Sequence, residues 1–201
     1  MNISTHDALR ALYDQPPERS VKKELSALEV HSRRFIELSP FVVLATADDV
    51  FNMDASPRGG APGFVKVVND RTMLIPDAPG NNRLDTLHNI VATGRIGALF
   101  LIPGFDETLR VNGSAVLSQH ADDIHRCTDE RRAPRLVIRV TVSSVYLHCA
   151  KAFLRSKLWS PEAHRPRELL PTIGAMLNDQ LGVDGPAETR EAMVARYLPE
   201  L

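Results

Sequence analysis

Two short segments carry residue types that bind oxyanions. The first, DASPRGG, offers the hydroxyl of Ser56 and the guanidinium of Arg58 beside flexible glycines. The second, GNNRLDTLHNI, places Asn82 and Arg83 where a helix is predicted to begin. The start of a helix exposes backbone N–H groups and carries partial positive charge, and arginine can donate two parallel hydrogen bonds to a phosphate. If the two segments meet, they predict a phosphate-binding site.

The second segment also has a purely structural interpretation. Asn81 or Asn82 is a natural N-cap for the helix, and Asp85 can complete a pair that resembles a capping box. In that interpretation Arg83 pairs with Asp85 or Asp77 and no ligand is needed. Both interpretations stay open at the level of the segment alone.

The surrounding elements predict an antiparallel β architecture. Apolar, β-branched runs separated by turn residues predict strands at 41–47, 50–57, 63–68, 71–77, 95–102, 108–118 and 135–149. Helices are predicted at 4–14, 21–38, 82–92, 120–131, 151–158, 171–180 and 186–198. This order favours a mainly β fold with α+β elaborations, a barrel or sandwich, over an alternating, doubly wound dinucleotide fold.

Composition and motifs argue against several classes of protein. The 201 residues include 24 basic and 25 acidic side chains and have a net charge of −1, so we expect no nucleic-acid partner. Neither GxGxxG nor GxxxxGK[ST] occurs, and no apolar run is long enough to cross a bilayer. The first residues lack the order of a signal peptide, and the two cysteines form no CxxC pair, so we expect a cytoplasmic protein.

One cluster contains residue types that bind metals. The segment QHADDIHRC contains His120, Asp122, Asp123, His125 and Cys127. The spacing between the two histidines suits neither one face of a helix nor a zinc motif. We therefore expect an exposed polar helix here and no metal site.

An ordered set of motifs, DASPRG, PGNNRLDTL, ETLRVNG and HCAKAFLRSKLW, carries a family resemblance. Over residues 40–159 the chain resembles the pyridoxamine 5′-phosphate oxidase-like FMN-binding split-barrel family, and within it the bacterial branch of pyridoxamine 5′-phosphate oxidase-related flavoproteins. The resemblance implies an antiparallel split β-barrel of six to seven strands with helices at both termini. It also implies a homodimer with one FMN in each of two clefts at the subunit interface. The expected domains are an N-terminal helical segment at 1–40, the barrel at 41–159 and a C-terminal helical extension at 160–201.

The resemblance further implies which residues bind the cofactor. The FMN phosphate would contact Ser56, Arg58, Asn82 and Arg83. The flavin ring would run along the backbone of Asp54, Ala55, Pro76 and Asp77. The remaining contacts, some of them from the partner chain, would come from Thr108, Lys151 and Arg155. No catalytic acid or base is implied.

The motifs depart from those of the oxidase that acts on pyridoxamine 5′-phosphate. One basic residue is missing on the second strand and one at the helix start, and FLRSKLW replaces an Arg-Leu-His triplet. We therefore expect an FMN-dependent oxidoreductase of unassigned substrate rather than the vitamin-B6 enzyme. One alternative is another cofactor on the same barrel, either F420 or haem with His148 as its axial ligand. The other is a flavin-binding dimeric module without turnover.

Overall fold

The computed structural model describes residues 2–129 and 132–200. Its strands are β1 (Phe41–Ala47), β2 (Met53–Gly59), β3 (Lys66–Asn69), β4 (Thr72–Pro76), β5 (Arg95–Leu101), β6 (Thr108–Ser118) and β7 (Val137–His148). They form one antiparallel sheet in the order β2-β1-β5-β6-β7-β4-β3, so that β2 and β3 are the edges. The predicted mainly β, antiparallel fold is confirmed.

One face of this sheet forms the hydrophobic core. Val42 and Leu44 on β1 lie in register with Phe100 and Ala98 on β5, and all four side chains are buried. Residues directly opposite each other on neighbouring strands point to the same side of a sheet. The alternation of apolar residues along each strand therefore fixes which face turns inward. Ile36, which has no exposed surface, packs into the same core from a helix.

A bulge bends the two longest strands. The register between β6 and β7 shifts between Asn112 and Gly113. A Cβ atom at Gly113 would lie only 2.1 Å from the backbone oxygen of Thr141, so the position accepts no side chain without movement of the backbone. Bulges increase local twist and bend a strand. The bulge therefore bends β6 and β7 near the middle of their pairing.

Helices lie at both ends of the chain and between the strands. They are α1 (His6–Arg10), α2 (Glu18–Lys22), α3 (Val30–Leu38), α4 (Asp85–Thr93), α5 (Ala121–Cys127), α6 (Lys151–Ser156), α7 (Ile173–Leu181) and α8 (Arg190–Tyr197). The helix predicted at 120–131 thus ends at Cys127, and Glu130 and Arg131 lie outside the described residues. Among the described helices, none combines the length and apolarity that a membrane crossing requires.

The prediction of one continuous helix at 21–38 was wrong. Helix α2 ends at Lys22, after which the backbone of Leu25 pairs with Val145 on β7. A new helix, α3, then begins, because the Glu29 carboxylate accepts hydrogen bonds from first-turn N–H groups and the Ser32 hydroxyl oxygen accepts one from the Glu29 N–H. A long-range strand contact and a local cap together outweigh the helical periodicity of the segment.

The chain divides after Leu154 into two compact units. The first contains the sheet with α1 to α5 and most of α6. In the second, the start of α7 packs tightly against the backbone at Glu188, since a Cβ atom at Gly174 would lie 2.7 Å from the Glu188 oxygen. Glu188 also pairs with Arg196 on α8 through two hydrogen bonds. The domain boundaries expected after residues 40 and 159 stay a prediction.

Candidate functional site

Three of the predicted site residues share one face of the edge strand β2. Asp54, Ser56 and Arg58 are half-buried, whereas the residues between them are exposed. Their partners on β1 are Thr46, Leu44 and Val42, which are all buried. The i, i+2, i+4 spacing therefore turns the three polar side chains to the same side as the core. They form a row of polar side chains on the core-facing side of the edge strand β2.

Asp54 is the centre of a hydrogen-bond network in this row of polar side chains. The Ser56 hydroxyl donates to its carboxylate at 3.0 and 2.9 Å, and the Thr86 hydroxyl on α4 donates to Oδ2 at 2.6 Å. Thr46 Oγ1 lies 3.5 Å from the same oxygen and accepts a 3.0 Å hydrogen bond from Asn89 Nδ2. The network joins two strands to one helix, and its inner members, Thr46, Thr86 and Asn89, are buried.

The network gives Asp54 and Ser56 defined roles as acceptors. Because the Ser56 proton is engaged by Asp54, the oxygens on this side of the site are available mainly to accept hydrogen bonds. A ligand group that meets Asp54 and Ser56 is therefore expected to carry donors such as hydroxyls. The sequence motif indicated that both residues belong to a site but did not reveal this pairing.

The helix start beside the network differs from its prediction. Helix α4 begins at Asp85, not at residue 82, and its N-cap is Leu84, which has a left-handed backbone with φ of 60° and no capping side chain. Neither predicted asparagine caps the helix. Asn81 Oδ1 accepts a hydrogen bond from the Arg83 N–H at 3.1 Å, and Asn82 is itself left-handed. The first-turn N–H groups of α4 therefore lack a capping side chain from Leu84.

Arg83 lies at this helix start and reaches across it. Its Nε donates a 2.8 Å hydrogen bond to Asp85, which is one of the pairings that the sequence had left open. The side chain is 72% exposed, and among the described residues its Nη groups have no hydrogen-bond partner. Asp85 raises the pKa of Arg83 through this bond, and Asp54 adds a smaller charge effect in the same direction. Arg83 is thus within electrostatic reach of the Asp54 network.

Arg58 exerts a charge effect on Asp77, a second predicted site residue. Burial raises the pKa of Asp77, while the charges of Arg58 and Arg135 oppose that rise. Arg58 lies on the β2 edge, and Asp77 follows β4 near the opposite edge, where its N–H donates to the Leu136 oxygen. Arg58 on the β2 edge is therefore within electrostatic reach of Asp77, which follows β4.

Other predicted site residues lie elsewhere in the chain. Thr108 is buried at the start of β6, opposite His148. The strand registers put Thr108 level with Phe41, the first residue of β1. Asp54 is level with Thr46, five residues further along β1. Thr108 therefore lies about 17 Å from Asp54 along the strand direction. Lys151 is exposed at the start of α6, and Arg155 belongs to the second unit. Within one chain, the structure does not bring Thr108 to the Asp54 network.

Three residues remain from the predicted set. Ala55 is exposed on the opposite face of β2 from Asp54, and Pro76 is half-buried at the end of β4. Asn82 is exposed just before the α4 start.

The segment with metal-ligand residue types folds into α5, which is not the fully exposed polar helix that was expected. Asp123 is buried, and its carboxylate accepts hydrogen bonds from the Ser118 hydroxyl at 2.7 Å and from Arg139 Nη1 at 2.6 Å. Cys127 packs with Leu74 in a small apolar cluster. Over the described ranges, no group of three or more His, Cys, Asp or Glu side chains is arranged to hold a metal ion.

A family model described as pyridoxamine 5′-phosphate oxidase matches residues 28–149, more than half of the chain. No curated protein matches. A variant of HupZ from Group A Streptococcus is similar in fold, with a TM-score of 0.50 and 15% identity over 60% of this chain and 98% of the other.

Two further solved structures are more distant. A candidate pyridoxamine 5′-phosphate oxidase from Lactobacillus delbrueckii has a TM-score of 0.47 and 18% identity, covering 62% of this chain and 98% of its own. An FMN-binding protein from Syntrophomonas wolfei has a TM-score of 0.42 and 12% identity, covering 60% of this chain and 90% of its own.

Proposed function

The chain belongs to the pyridoxamine 5′-phosphate oxidase family, and from that premise we propose that it binds FMN as the cofactor of an oxidoreductase. When bound, FMN supplies hydride or electron transfer at its N5 atom. The chain supplies binding, orientation and a shaped electrostatic environment. No residue is assigned as a catalytic acid or base, and the substrate is not specified.

One observation carries the proposal: two arginines and a helix start without a capping side chain lie near the Asp54 network. Arg83 has free Nη groups beside the start of α4, and Arg58 lies on the same face of β2 as Ser56. Helix N-termini and arginines are the groups that bind phosphate. We assign the phosphate of FMN to Arg83, with Asn82, Arg58 and the first turn of α4 around it.

The acidic centre of the site also fits FMN. A bare phosphate would be repelled by Asp54, whereas the ribityl chain of FMN carries hydroxyl groups that can donate to a carboxylate. Asp54 and Ser56, which accept hydrogen bonds on this side, are assigned to those hydroxyls. A ligand with both a phosphate and several hydroxyls suits this combination better than phosphate alone.

The other assigned residues surround the flavin ring. The backbone at Ala55, Pro76 and Asp77 is assigned to the ring edge. Lys151 and Arg155 of the partner subunit are assigned as cations that favour bound FMN, and Thr108 as a polar contact. Because Thr108 lies about 17 Å along the strands from the Asp54 row of its own chain, we assign its contact to the FMN bound mainly by the partner chain.

The sheet face opposite the core supports a homodimer. On this face β1 and β2 present apolar side chains along their length. Phe41, at one end of the strand pair, is 36% exposed, and Met53, at the other end, is 74% exposed. Ala45 pairs with Ala55 in the same layer, and both are exposed. Contiguous apolar surface of this kind marks protein interfaces. We propose that a second copy of the chain covers this β1–β2 part of the outer face.

The test is the visible absorption spectrum of the purified protein, followed by identification of any pigment that acid releases. Two flavin bands with FMN in the supernatant are expected, and light scattering on the same sample should give the mass of a dimer. A colourless protein that takes up no added FMN would overturn the cofactor and the enzyme proposal together. A flavin-loaded monomer would overturn only the dimer.

One feature favours FMN over haem. His148 is the residue expected to bind haem iron, but its Nε2 atom is buried and unavailable to a ligand without rearrangement. A Soret band that appears when haem is added and is lost in His148→Ala would reverse this preference.

A further inference from the structure

A second cluster of polar side chains lies on the outer face of the sheet, away from the Asp54 network. Arg110 on β6 lies opposite Tyr146 on β7, and its Nη1 donates a 3.0 Å hydrogen bond to the Tyr146 hydroxyl. Lys23, just after α2, donates from Nζ to the Leu147 oxygen at 2.7 Å. His148 completes the cluster, with its ring centroid 5.1 Å from that of Tyr146.

Two cations therefore approach one aromatic ring. The Lys23 Nζ lies 5.5 Å and the Arg110 Cζ lies 5.6 Å from the centroid of Tyr146. Among residues 2–129 and 132–200, neither cation forms an ion pair with a carboxylate. The negative face of the Tyr146 ring attracts both cations, and an anion between them would further offset their mutual repulsion.

The cluster is also rich in hydrogen-bond donors. Lys23 and Arg110 each use one donor in the contacts described, and arginine has five and lysine three. The Tyr146 oxygen accepts from Arg110, so its own proton is available to another acceptor. The exposed part of the cluster thus presents an ammonium, a guanidinium and a phenol, all of them able to donate.

His148 adds no charge of its own near neutral pH. Burial lowers the pKa of His148, and the charges of Arg110 and Lys23 lower it further. Its Nε2 atom is buried and makes no hydrogen bond to any described residue. An anion bound nearby would favour the protonated imidazole and so raise the pKa of His148, which makes this side chain a probe for anion binding.

We propose that Lys23, Arg110 and Tyr146 form a binding site for an oxyanion, the carboxylate or phosphate group of a small molecule. The site lies on the outer sheet face and is separate from the residues assigned to the FMN phosphate. The three residues are not among those assigned to FMN, and every contact that defines the site is made within the first unit of one chain. Thr108, which is assigned to the FMN bound mainly by the partner chain, pairs with His148 at the border of the site.

The experiment follows the imidazole signal of His148 by NMR while inorganic phosphate, or in a second series acetate, is added at constant pH. His148→Gln identifies the signal. The titrations use the Arg83→Ala variant so that the α4 start contributes little to phosphate binding. A saturable shift toward the protonated position is expected, and the anion that binds more tightly indicates whether the natural ligand carries phosphate or carboxylate.

Matched variants test whether phosphate binds at Lys23 and Arg110. Lys23→Met and Arg110→Met should each weaken phosphate binding by roughly tenfold. Arg95→Met removes an equal charge from an exposed position on the neighbouring strand β5 and should leave the affinity unchanged. A His148 signal that does not move with either anion would overturn the proposal. So would equal weakening by Arg95→Met, which would indicate only general charge attraction.

Discussion

The Thr86 hydroxyl on α4 donates a 2.6 Å hydrogen bond to the Asp54 carboxylate on β2. This contact joins a helix to the edge strand of the sheet, across 32 residues of sequence. Both partners belong to a network that includes buried Thr46 and Asn89. The position of α4 relative to β2 is thus fixed by polar contacts as well as by apolar packing.

Replacing Thr86 by valine should destabilise the fold. Valine keeps the shape of threonine but removes the donor, which leaves Asp54 with one charged hydrogen bond fewer. The expected loss is about 1.5–3 kcal/mol in the free energy of unfolding, measured by denaturant titration. The matched control is Thr141→Val on β7, where the threonine is exposed and the change should be close to zero. Equal stabilities of the two variants would show that the Thr86 bond contributes nothing.

Arg83→Ala should weaken FMN binding by roughly ten- to a hundredfold, because a charge-assisted phosphate contact is lost. Quenching of flavin fluorescence on titration gives the dissociation constant. Since Arg83 is largely exposed, its ion pair with Asp85 should contribute little to stability, and the melting temperature should not change. Arg95→Ala removes an arginine of β5 outside the site and should bind FMN normally. An unchanged constant for Arg83→Ala would remove this residue from the cofactor site.

The buried Asp123 should make stability depend on pH in the acidic range. Although burial alone would raise the pKa of Asp123, hydrogen bonds from Ser118 and Arg139 hold it below its usual range. The ion pair therefore stabilises the fold above the unfolded-state pKa of about 3.9 and loses this effect as the pH falls through the folded-state pKa.

The variant Asp123→Asn isolates that effect. It should be about 2–3 kcal/mol less stable than the parent at neutral pH, and the gap should narrow below about pH 4. Asp122→Asn, at the exposed neighbouring position, should lose much less stability at neutral pH than Asp123→Asn does. Urea titrations across the pH range measure both differences, and a gap that stays constant down to acid pH would contradict the assignment.

The two cysteines should differ sharply in reactivity. Burial raises the pKa of Cys127 to about 11, whereas Cys149 is exposed. Since the thiolate is the reactive form, a thiol reagent at mildly alkaline pH should modify Cys149 quickly and Cys127 only after the protein unfolds. Cys149→Ser should abolish the fast reaction. Fast modification that persists in this variant would mean that Cys127 is accessible.

Gly113→Ala should be strongly destabilising, by about 3 kcal/mol or more, because the added Cβ would lie 2.1 Å from the Thr141 oxygen. Gly80→Ala is the control, since a Cβ atom at Gly80 would meet nothing within 4 Å. Thermal unfolding of the two variants gives the comparison. Similar melting temperatures would show that the bulge can rearrange at little cost.

The strands were predictable from sequence because their signal is local. Strand β6 begins and ends where the apolar, β-branched pattern predicted, at Thr108 and Ser118, and β1 likewise at Phe41 and Ala47. The helix at 21–38 was not predictable, because its interruption depends on a contact between Leu25 and Val145, 120 residues apart. Propensity and periodicity contain no information about such a distant partner.

The residue types of the candidate site were predictable from sequence, but its hydrogen-bond network was not. The spacing of Asp54, Ser56 and Arg58 on a strand already placed them on one face. The contact from Thr86 depends on how α4 packs on the sheet. The left-handed backbone at Leu84, which delays the helix start, has no signal in the sequence, because leucine seldom adopts that conformation.

Pro57 occupies the middle of β2, the strand that forms one edge of the sheet. A strand arriving from another molecule needs a row of N–H and C=O groups to pair with, and proline has no N–H to offer. Arg58 beside it adds a charge that such an incoming strand would have to bury. This edge therefore resists strand addition, so aggregation by open-ended sheet growth is blocked there even when the chain is concentrated.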